Sequence, residues 1–159
     1  MTMNRILYSI LVLSILLFTN NLKAQGQFQY CSWNMLSFTN ANVPTNVGET
    51  TTTMVNITLS NSVKANLIAG NTYKLATSLT PFDPVLTVFS TGSAVAFNDD
   101  GNHAMPGESE INFTPRYTGE YQIQINEYQC GPGSGLPYLN ITLVAVPQPV
   151  RTIPVVVHV

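Results

Sequence analysis

Short alternations of apolar and polar residues recur along the chain from residue 53 onwards. In residues 53–60 (TMVNITLS) one face carries Val55, Ile57 and Leu59 and the other carries Met54, Asn56 and Thr58, and residues 120–127 (EYQIQINE) alternate in the same way. This two-residue period is typical of a β-strand with one buried face, because successive side chains of a strand point to opposite faces. Five further segments have the character of strands: residues 73–77, 85–90, 94–97, 111–113 and 139–146.

Turn-forming residues separate these segments. Ala69-Gly70-Asn71, Thr91-Gly92-Ser93 and Tyr117-Thr118-Gly119 each place a glycine between two strands, and two prolines form a corner at residues 81–84. After residue 24 we find no helical period. The pattern therefore predicts an all-β fold, an antiparallel β-sandwich of seven or eight strands. The predicted interior residues are Val55, Ile57, Leu75, Phe89, Phe113, Tyr121, Ile123 and Ile125.

The first 24 residues have the pattern of a secretory signal peptide. Arg5 precedes an apolar run at residues 6–18 (ILYSILVLSILLF), and Ala24 offers a small residue before a cleavage point. A retained membrane anchor is the alternative, but the run is short for a membrane span. Cys31 follows Gln29-Tyr30 rather than the small residues that precede a lipid-modified cysteine. The sequence predicts a secreted or cell-surface protein with no membrane span after cleavage.

Removal of this segment leaves about 135 residues, residues 25–146 being the predicted sandwich domain, which is enough for one core. Charged residues make up 9% of the chain, and the formal net charge is −2. Such a surface lacks the positive field that attracts nucleic acid or anionic lipid, so we expect neither as a partner.

Cys31 and Cys130 are the two cysteines of the sequence. In an oxidising compartment they predict one disulfide that ties the first strand of the domain to a late one. A covalent loop of this length stabilises a fold by about 4–5 kcal/mol in the chain-entropy model. Two buried free thiols are the alternative. Neither cysteine has a neighbour at metal-ligand spacing.

Residues 69–130 resemble the bacterial pre-peptidase C-terminal domain. The matching features are a Gly-x-x-Tyr strand start at Gly70, an Asp-Pro-Val-Leu corner at residues 83–86, Asn-Asp-Asp at residues 98–100, and Thr-Gly-x-Tyr at residues 118–121. Domains of this family are jelly-roll-like β-sandwiches attached to secreted peptidases. The resemblance implies a jelly-roll-like sandwich here, with an accessory role.

The last residues form the most strand-like apolar run of the sequence. A stiff, proline-rich linker is predicted at residues 147–152 (PQPVRT), and residues 153–159 (IPVVVHV) are apolar on both faces. Residues 151–159 are similar to the opening strand of the catalytic domain in secreted zinc metallopeptidases of the cytophagalysin/pappalysin type in Bacteroidetes. The resemblance implies the first strand of a second domain, detached from the sandwich.

The zinc motif of those peptidases, His-Glu-x-x-His, does not occur in this sequence. The motif places two imidazoles one helical turn apart on a zinc ion, with the glutamate as general base. The two histidines here, His103 and His158, cannot form it. We therefore predict that the chain itself is not an enzyme, and that zinc belongs only to the catalytic domain of a longer parent protein.

The densest acidic stretch is residues 98–110 (NDDGNHAMPGESE). Calcium prefers several oxygen ligands, and the candidates for supplying them are Asn98, Asp99, Asp100 and Glu108, with Asp83 from the neighbouring corner. The spacing is not that of an EF-hand loop. A tight turn that ends at Gly101 explains the same aspartates without a metal, because Asp side chains bond to their own backbone.

Aromatic residues near the cysteines and the last sandwich strand are candidates for a ligand-binding platform: Phe28, Tyr30, Trp33, Tyr128 and Tyr138. Their rings combine a large apolar face with, in Tyr and Trp, a polar edge. Trp33 also has a structural interpretation, since a Trp often packs against the disulfide of a sandwich domain.

Together these patterns predict a secreted, non-catalytic accessory or binding domain at the N-terminal end of a zinc metallopeptidase. Its ligand would be an extracellular protein or polysaccharide. The alternative is a free-standing cell-surface adhesion or carbohydrate-binding module, in which residues 153–159 form the last strand of the sandwich itself.

Overall fold

The computed structural model describes residues 30–32, 37–57, 61–99, 108–131 and 133–148. Within these ranges the chain forms strands joined by turns, and a short 3-10 helix, Tyr128–Cys130, follows the eighth strand. The strands are β1 (Ser37–Asn40), β2 (Thr50–Met54), β3 (Asn61–Leu67), β4 (Thr72–Ser78), β5 (Pro84–Ser90), β6 (Ser93–Asn98), β7 (Glu110–Phe113), β8 (Gly119–Glu127) and β9 (Tyr138–Ala145).

The strands pair into two sheets that pack face to face. The first sheet has the order β1-β3-β8-β5-β6, and the second has the order β2-β9-β4-β7. Strands β2 to β9 give four strands to each sheet in the order of a jelly roll. β1 adds a parallel edge beside β3. The predicted all-β sandwich is confirmed, with nine strands in the described ranges where seven or eight were expected.

Alternation along the strands builds the core between the sheets. On β8, Tyr121, Ile123 and Ile125 face the second sheet and are buried. Seven of the eight predicted interior residues belong to this core. The exception is Phe89, which is buried on the opposite face of the first sheet, where it pairs with Gln122.

The outer face of the first sheet is also buried at its centre. Gln124 and Asn126 are 2% and 4% exposed, although their positions in the alternation predicted an outward face. Their side-chain amides bond to each other, and Gln124 Nε2 donates to the carbonyl oxygen of Ser32 at 3.4 Å. The segment that contains Cys31 and Ser32 therefore lies over β8.

The predicted strand at residues 53–60 differs from the observed one. β2 begins at Thr50 and ends at Met54, so Val55 and Ile57 are core residues beyond the strand. β1 and β3 were not predicted. In β3 (NSVKANL) the alternating apolar positions are Val63, Ala65 and Leu67, and only Val63 is β-branched.

The edge strands β6 and β7 meet at one end and separate at the other. Asn98 Nδ2 donates to the carbonyl oxygen of Glu110 at 2.8 Å, and Ser109 Oγ donates to the carbonyl oxygen of Asn98 at 2.7 Å. These bonds join the end of β6 to the start of β7. Away from these bonds, Val95 of β6 and Phe113 of β7 line a cleft.

Candidate functional site

The cleft has a volume of about 380 Å³ and reaches from the surface to the hydrophobic core. Its lining residues are Ser90, Val95, Phe113, Thr114, Arg116, Tyr117 and Tyr121. Phe113 and Tyr121 are buried core residues, and their rings meet edge to face with centroids 5.3 Å apart. The floor of the cleft is therefore aromatic and rigidly packed.

The loop between β7 and β8, residues 114–118, forms one wall. Hydrogen bonds fix it to the turn before β4, to the first residue of β4 and to β8. The pairs are Gly70 N–H with the Pro115 carbonyl, Ala69 N–H with Thr118 Oγ1, Thr72 Oγ1 with Thr114 Oγ1, and Tyr121 Oη with the Tyr117 carbonyl. Arg116 takes part in none of these pairs. The loop thus has a fixed backbone, with the Arg116 side chain projecting from it.

The bond between Tyr121 and Tyr117 is twofold. Tyr121 Oη donates to the carbonyl oxygen of Tyr117 at 3.0 Å and accepts from the N–H of Tyr117 at 3.4 Å. A tyrosine hydroxyl that bonds a few residues upstream in this way is a tyrosine corner, as found in other β-sandwiches. The side chain of Tyr117 is 74% exposed at the mouth of the cleft.

The β5–β6 hairpin forms the opposite wall. Val88 pairs with Ala96 and Phe89 with Ala94, so Val95 is the extra residue of a β-bulge. A bulge turns its extra side chain away from the normal alternation and leaves that residue outside the ladder. Val95 consequently lines the cleft, and its side chain is 49% exposed.

Arg116 gives the cleft its positive charge. In the described part of the chain the other Lys and Arg residues are Lys64, which pairs with Glu120 at 3.1 Å, and Lys74, which pairs with Glu110 at 3.7 Å. No carboxylate among the described residues forms an ion pair with Arg116. The cleft can therefore offer a guanidinium to an anionic group of a ligand.

The predicted calcium residues are described only in part, since Asp100 lies outside the described residues. Asn98 Oδ1 accepts from the N–H of Asp99 at 3.0 Å, and the predicted turn at Asp100 and Gly101 lies outside the described residues. Among residues with described positions, no three His, Cys, Asp or Glu side chains come together as a metal site. Calcium at Asn98, Asp99, Asp100, Glu108 and Asp83 stays a prediction.

The disulfide between Cys31 and Cys130 is present, with Cα atoms 5.2 Å apart and a separation of 99 positions in sequence. Cys31 is fully buried. One detail of the prediction is wrong: Cys31 precedes β1, and Cys130 lies in the 3-10 helix after β8, so neither half-cystine is in a strand. Trp33, predicted to pack nearby or to bind ligand, lies outside the described residues.

The predicted aromatic platform is divided between the two sheets. Tyr128 follows β8 of the first sheet and is 44% exposed, whereas Tyr138 begins β9 of the second sheet and is half-buried. Tyr30 packs instead on Phe97 of β6, with ring centroids 6.1 Å apart. Tyr128 thus lies in the 3-10 helix and Tyr138 in a strand of the second sheet, and neither lines the cleft.

The residues of the cleft were not predicted as a site. Residues 117–119 indicated only a turn, and Val95 only a strand. Two signals were present in the sequence: an arginine in a chain with few charged residues, and tyrosines four positions apart around a turn glycine.

No helix of the described residues is long and apolar enough to cross a membrane. The predicted signal peptide, most of the linker and residues 153–159 lie outside the described residues.

Comparison with known proteins gives weak similarities. No protein-family model and no curated protein matches the sequence. The pre-peptidase C-terminal domain of collagenase from Bacillus anthracis aligns at 10% identity with a TM-score of 0.40, covering 70% of this chain and 97% of that chain. The periplasmic inhibitor of g-type lysozyme (PliG) from Aeromonas hydrophila aligns at 15% identity with a TM-score of 0.43, covering 69% and 97%. Both TM-scores are below 0.5, so the assignment of the fold as a β-sandwich rests on the strand pairing of this chain alone.

Proposed function

We propose that this chain is an exported, non-catalytic domain that binds an extracellular ligand in the cleft between β6 and the β7–β8 loop. The observation that carries the proposal is the preformed cleft itself. Its floor is a packed aromatic pair, and its wall is a hydrogen-bonded loop that presents Arg116 and Tyr117 to solvent. Binding then requires little ordering of the protein, which favours affinity.

The composition of the lining supports binding rather than catalysis. The hydroxyls of Ser90 and Thr114 lie in the cleft, and none of its described lining residues is a His, Cys, Asp or Glu. A hydroxyl nucleophile needs an adjacent base, and acid–base catalysis needs a group that titrates near neutral pH. The side chains of the cleft supply positive charge, hydroxyl groups and apolar surface.

The test uses the purified, exported chain, with gelatin and insoluble polysaccharides as probes. We expect retention on at least one probe and loss of retention in the double variant R116A/Y117A. The matched control is Y128A/Y138A, which removes two partly exposed tyrosines outside the cleft. Retention that follows Tyr128 and Tyr138 instead of Arg116 and Tyr117 contradicts the proposed site.

We further propose that this domain is an accessory domain of a zinc metallopeptidase that is encoded by the same gene. The support is the resemblance of residues 151–159 to the opening strand of such catalytic domains. The coding DNA beyond Val159 should then contain His-Glu-x-x-His-x-x-Gly-x-x-His within a few hundred codons. A stop codon directly after Val159 contradicts this part and leaves the cleft unaffected.

A free-standing carbohydrate-binding module is the second candidate, and one observation favours it. Tyr30 and Phe97 form a partly exposed aromatic pair on the outer face of the first sheet. Exposed aromatic rings are suitable stacking surfaces for sugars. Loss of polysaccharide retention in Y30A/F97A, with normal retention in R116A/Y117A, would support this candidate over the cleft.

A further inference from the structure

We propose that the cleft recognises the free carboxyl end of a peptide, with the carboxylate at Arg116 and the last side chain on the Phe113–Tyr121 floor. This inference rests on the proposed binding function and names the class of ligand. The charge, the apolar surface and the edge of β6 each contribute to it.

The charge of the cleft selects an anion. Arg116 has no carboxylate partner among the described residues, whereas Lys64 and Lys74 each have one. A guanidinium binds a carboxylate through two parallel hydrogen bonds, and this geometry is more specific than that of a lysine. The neighbouring residues of the loop are hydrogen bonded, so the backbone on both sides of Arg116 is already in place.

The apolar lining selects a small hydrophobic group beside that anion. Val95, Phe113 and the rings of Tyr117 and Tyr121 surround the space next to Arg116. Its volume of about 380 Å³ lies near the lower end of the roughly 300–1,000 Å³ that is usual for ligand pockets. The cleft therefore suits one or two residues at the end of a chain better than a long stretch of polymer.

The edge of β6 favours a peptide over an acidic sugar. Because Val95 is the extra residue of the bulge, its backbone lies outside the β5–β6 ladder. Among the described strands, β6 also lies at one edge of the first sheet, opposite to β1. Backbone groups at such an edge are suited to pair with the amides of an extended peptide. A uronic acid has a carboxylate but no backbone amide to pair there.

The experiment titrates the exported chain, labelled with ¹⁵N, with three probes: N-acetyl-Gly-Gly-Leu with a free carboxyl end, the same peptide as its C-terminal amide, and trigalacturonic acid. We expect the free acid to shift the resonances of Arg116 and Tyr117. The amide should bind more weakly by about tenfold or more, because it loses a charged hydrogen-bond partner. R116Q should weaken binding of the free acid by a similar factor, with an unchanged melting temperature.

K64Q is the matched control, since Lys64 is a partly exposed cation outside the cleft, and it should bind the free acid as the parent does. Equal binding of acid and amide at the cleft overturns the carboxylate assignment and leaves the proposed binding function standing. Cleft shifts with trigalacturonic acid but not with the peptide overturn the peptide assignment. If none of the three probes shifts the cleft, this inference fails, and the retention assay with R116A/Y117A still decides the proposed function separately.

Discussion

Tyr73 and Tyr121 lie on the inward faces of opposite sheets, and the hydroxyl of each holds a different loop. Tyr73 Oη accepts from the N–H of Ile68 and from Asn71 Nδ2, both at 3.2 Å. Tyr121 Oη bonds the backbone of Tyr117 beside the cleft. Tyr121 therefore bonds the cleft loop directly, whereas Tyr73 bonds a turn that contacts this loop through Ala69 and Gly70.

Replacing Tyr121 with Phe should lower the free energy of unfolding by about 1–2 kcal/mol, because the backbone of Tyr117 loses its hydrogen-bond partner. It should also weaken ligand binding, since the loop that presents Arg116 is no longer held in place. Urea denaturation measures the first effect, and titration with the ligand identified by the retention assay measures the second.

Replacing Tyr73 with Phe is the control for that variant. It should cost a similar free energy of unfolding, because the N–H of Ile68 loses its acceptor. The ligand affinity should fall less than in Y121F, because the turn that Tyr73 holds contacts the cleft loop only through Ala69 and Gly70. An equal loss of affinity in Y73F and Y121F would show that general destabilisation, rather than the loop, controls the cleft.

Removal of the disulfide in C31S/C130S should lower the free energy of unfolding by about 2–5 kcal/mol, as is usual for a native bridge that closes a long loop. A reductant should bring the parent to the same value in urea denaturation and leave the variant unchanged. Mass spectrometry that finds both thiols alkylated in the folded, exported protein would refute the bridge.

The β5–β6 turn offers a stabilising substitution. Thr91 and Gly92 have φ angles of 48° and 81°, as in a type I′ turn, and a β-branched residue is poorly suited to the first position. Thr91→Asn should raise the free energy of unfolding by about 0.5–1 kcal/mol.

Gly92→Ala provides the opposite case. A Cβ at Gly92 would meet no atom within 4 Å, so only the backbone conformation opposes it. The substitution should cost about 1–2 kcal/mol. Thermal denaturation of both variants checks the pair, and a stabilised G92A would show that the turn is of another type.

Glu49 should make stability depend on pH in the acid range. Its Oε2 accepts from the N–H groups of Asn46 and Thr45, both at 3.1 Å, and these bonds hold the pKa of Glu49 below its ordinary value of 4.5. The contribution is fully present above pH 4.5 and is lost as the pH falls through the lower, folded-state pKa.

E49Q should accordingly be less stable than the parent at neutral pH and equal to it in strong acid. NMR titration of the Glu49 carboxyl carbon in the folded protein gives the pKa directly. A midpoint at or above 4.5 contradicts the two backbone hydrogen bonds.

Strands β4 to β9 were predicted from the sequence because β-branched, aromatic or leucine side chains recur in them at strand spacing. β1 has one large apolar residue, Phe38, and its partner is β3 in parallel, a long-range pairing without a local signal. The segment at residues 53–60 shows the converse. Val55 and Ile57 keep the alternation because they fill the core, although the ladder has already ended at Met54.

The cleft could not be predicted from the sequence, for a related reason. Val95, Phe113 and Arg116 come from an edge strand, another edge strand and a loop, and they meet only because the two sheets pack. The bulge that turns Val95 towards the cleft depends on the register between β5 and β6. The apolar–polar alternation of a single segment predicts neither the packing of the two sheets nor the register between two strands.

The position of β9 determines the order in which the domain can fold. β9 lies between β2 and β4, and among the described strands β2 pairs with β9 alone. Because a chain emerges from its N-terminus, the first sheet and the disulfide can form once Cys130 has appeared, while β2 still waits for residues about 90 positions later in sequence. Such distant pairing is slow. A nascent chain that pauses before Tyr138 therefore exposes the unpaired edges of β2 and β4, and this is the stage at which it is most open to aggregation.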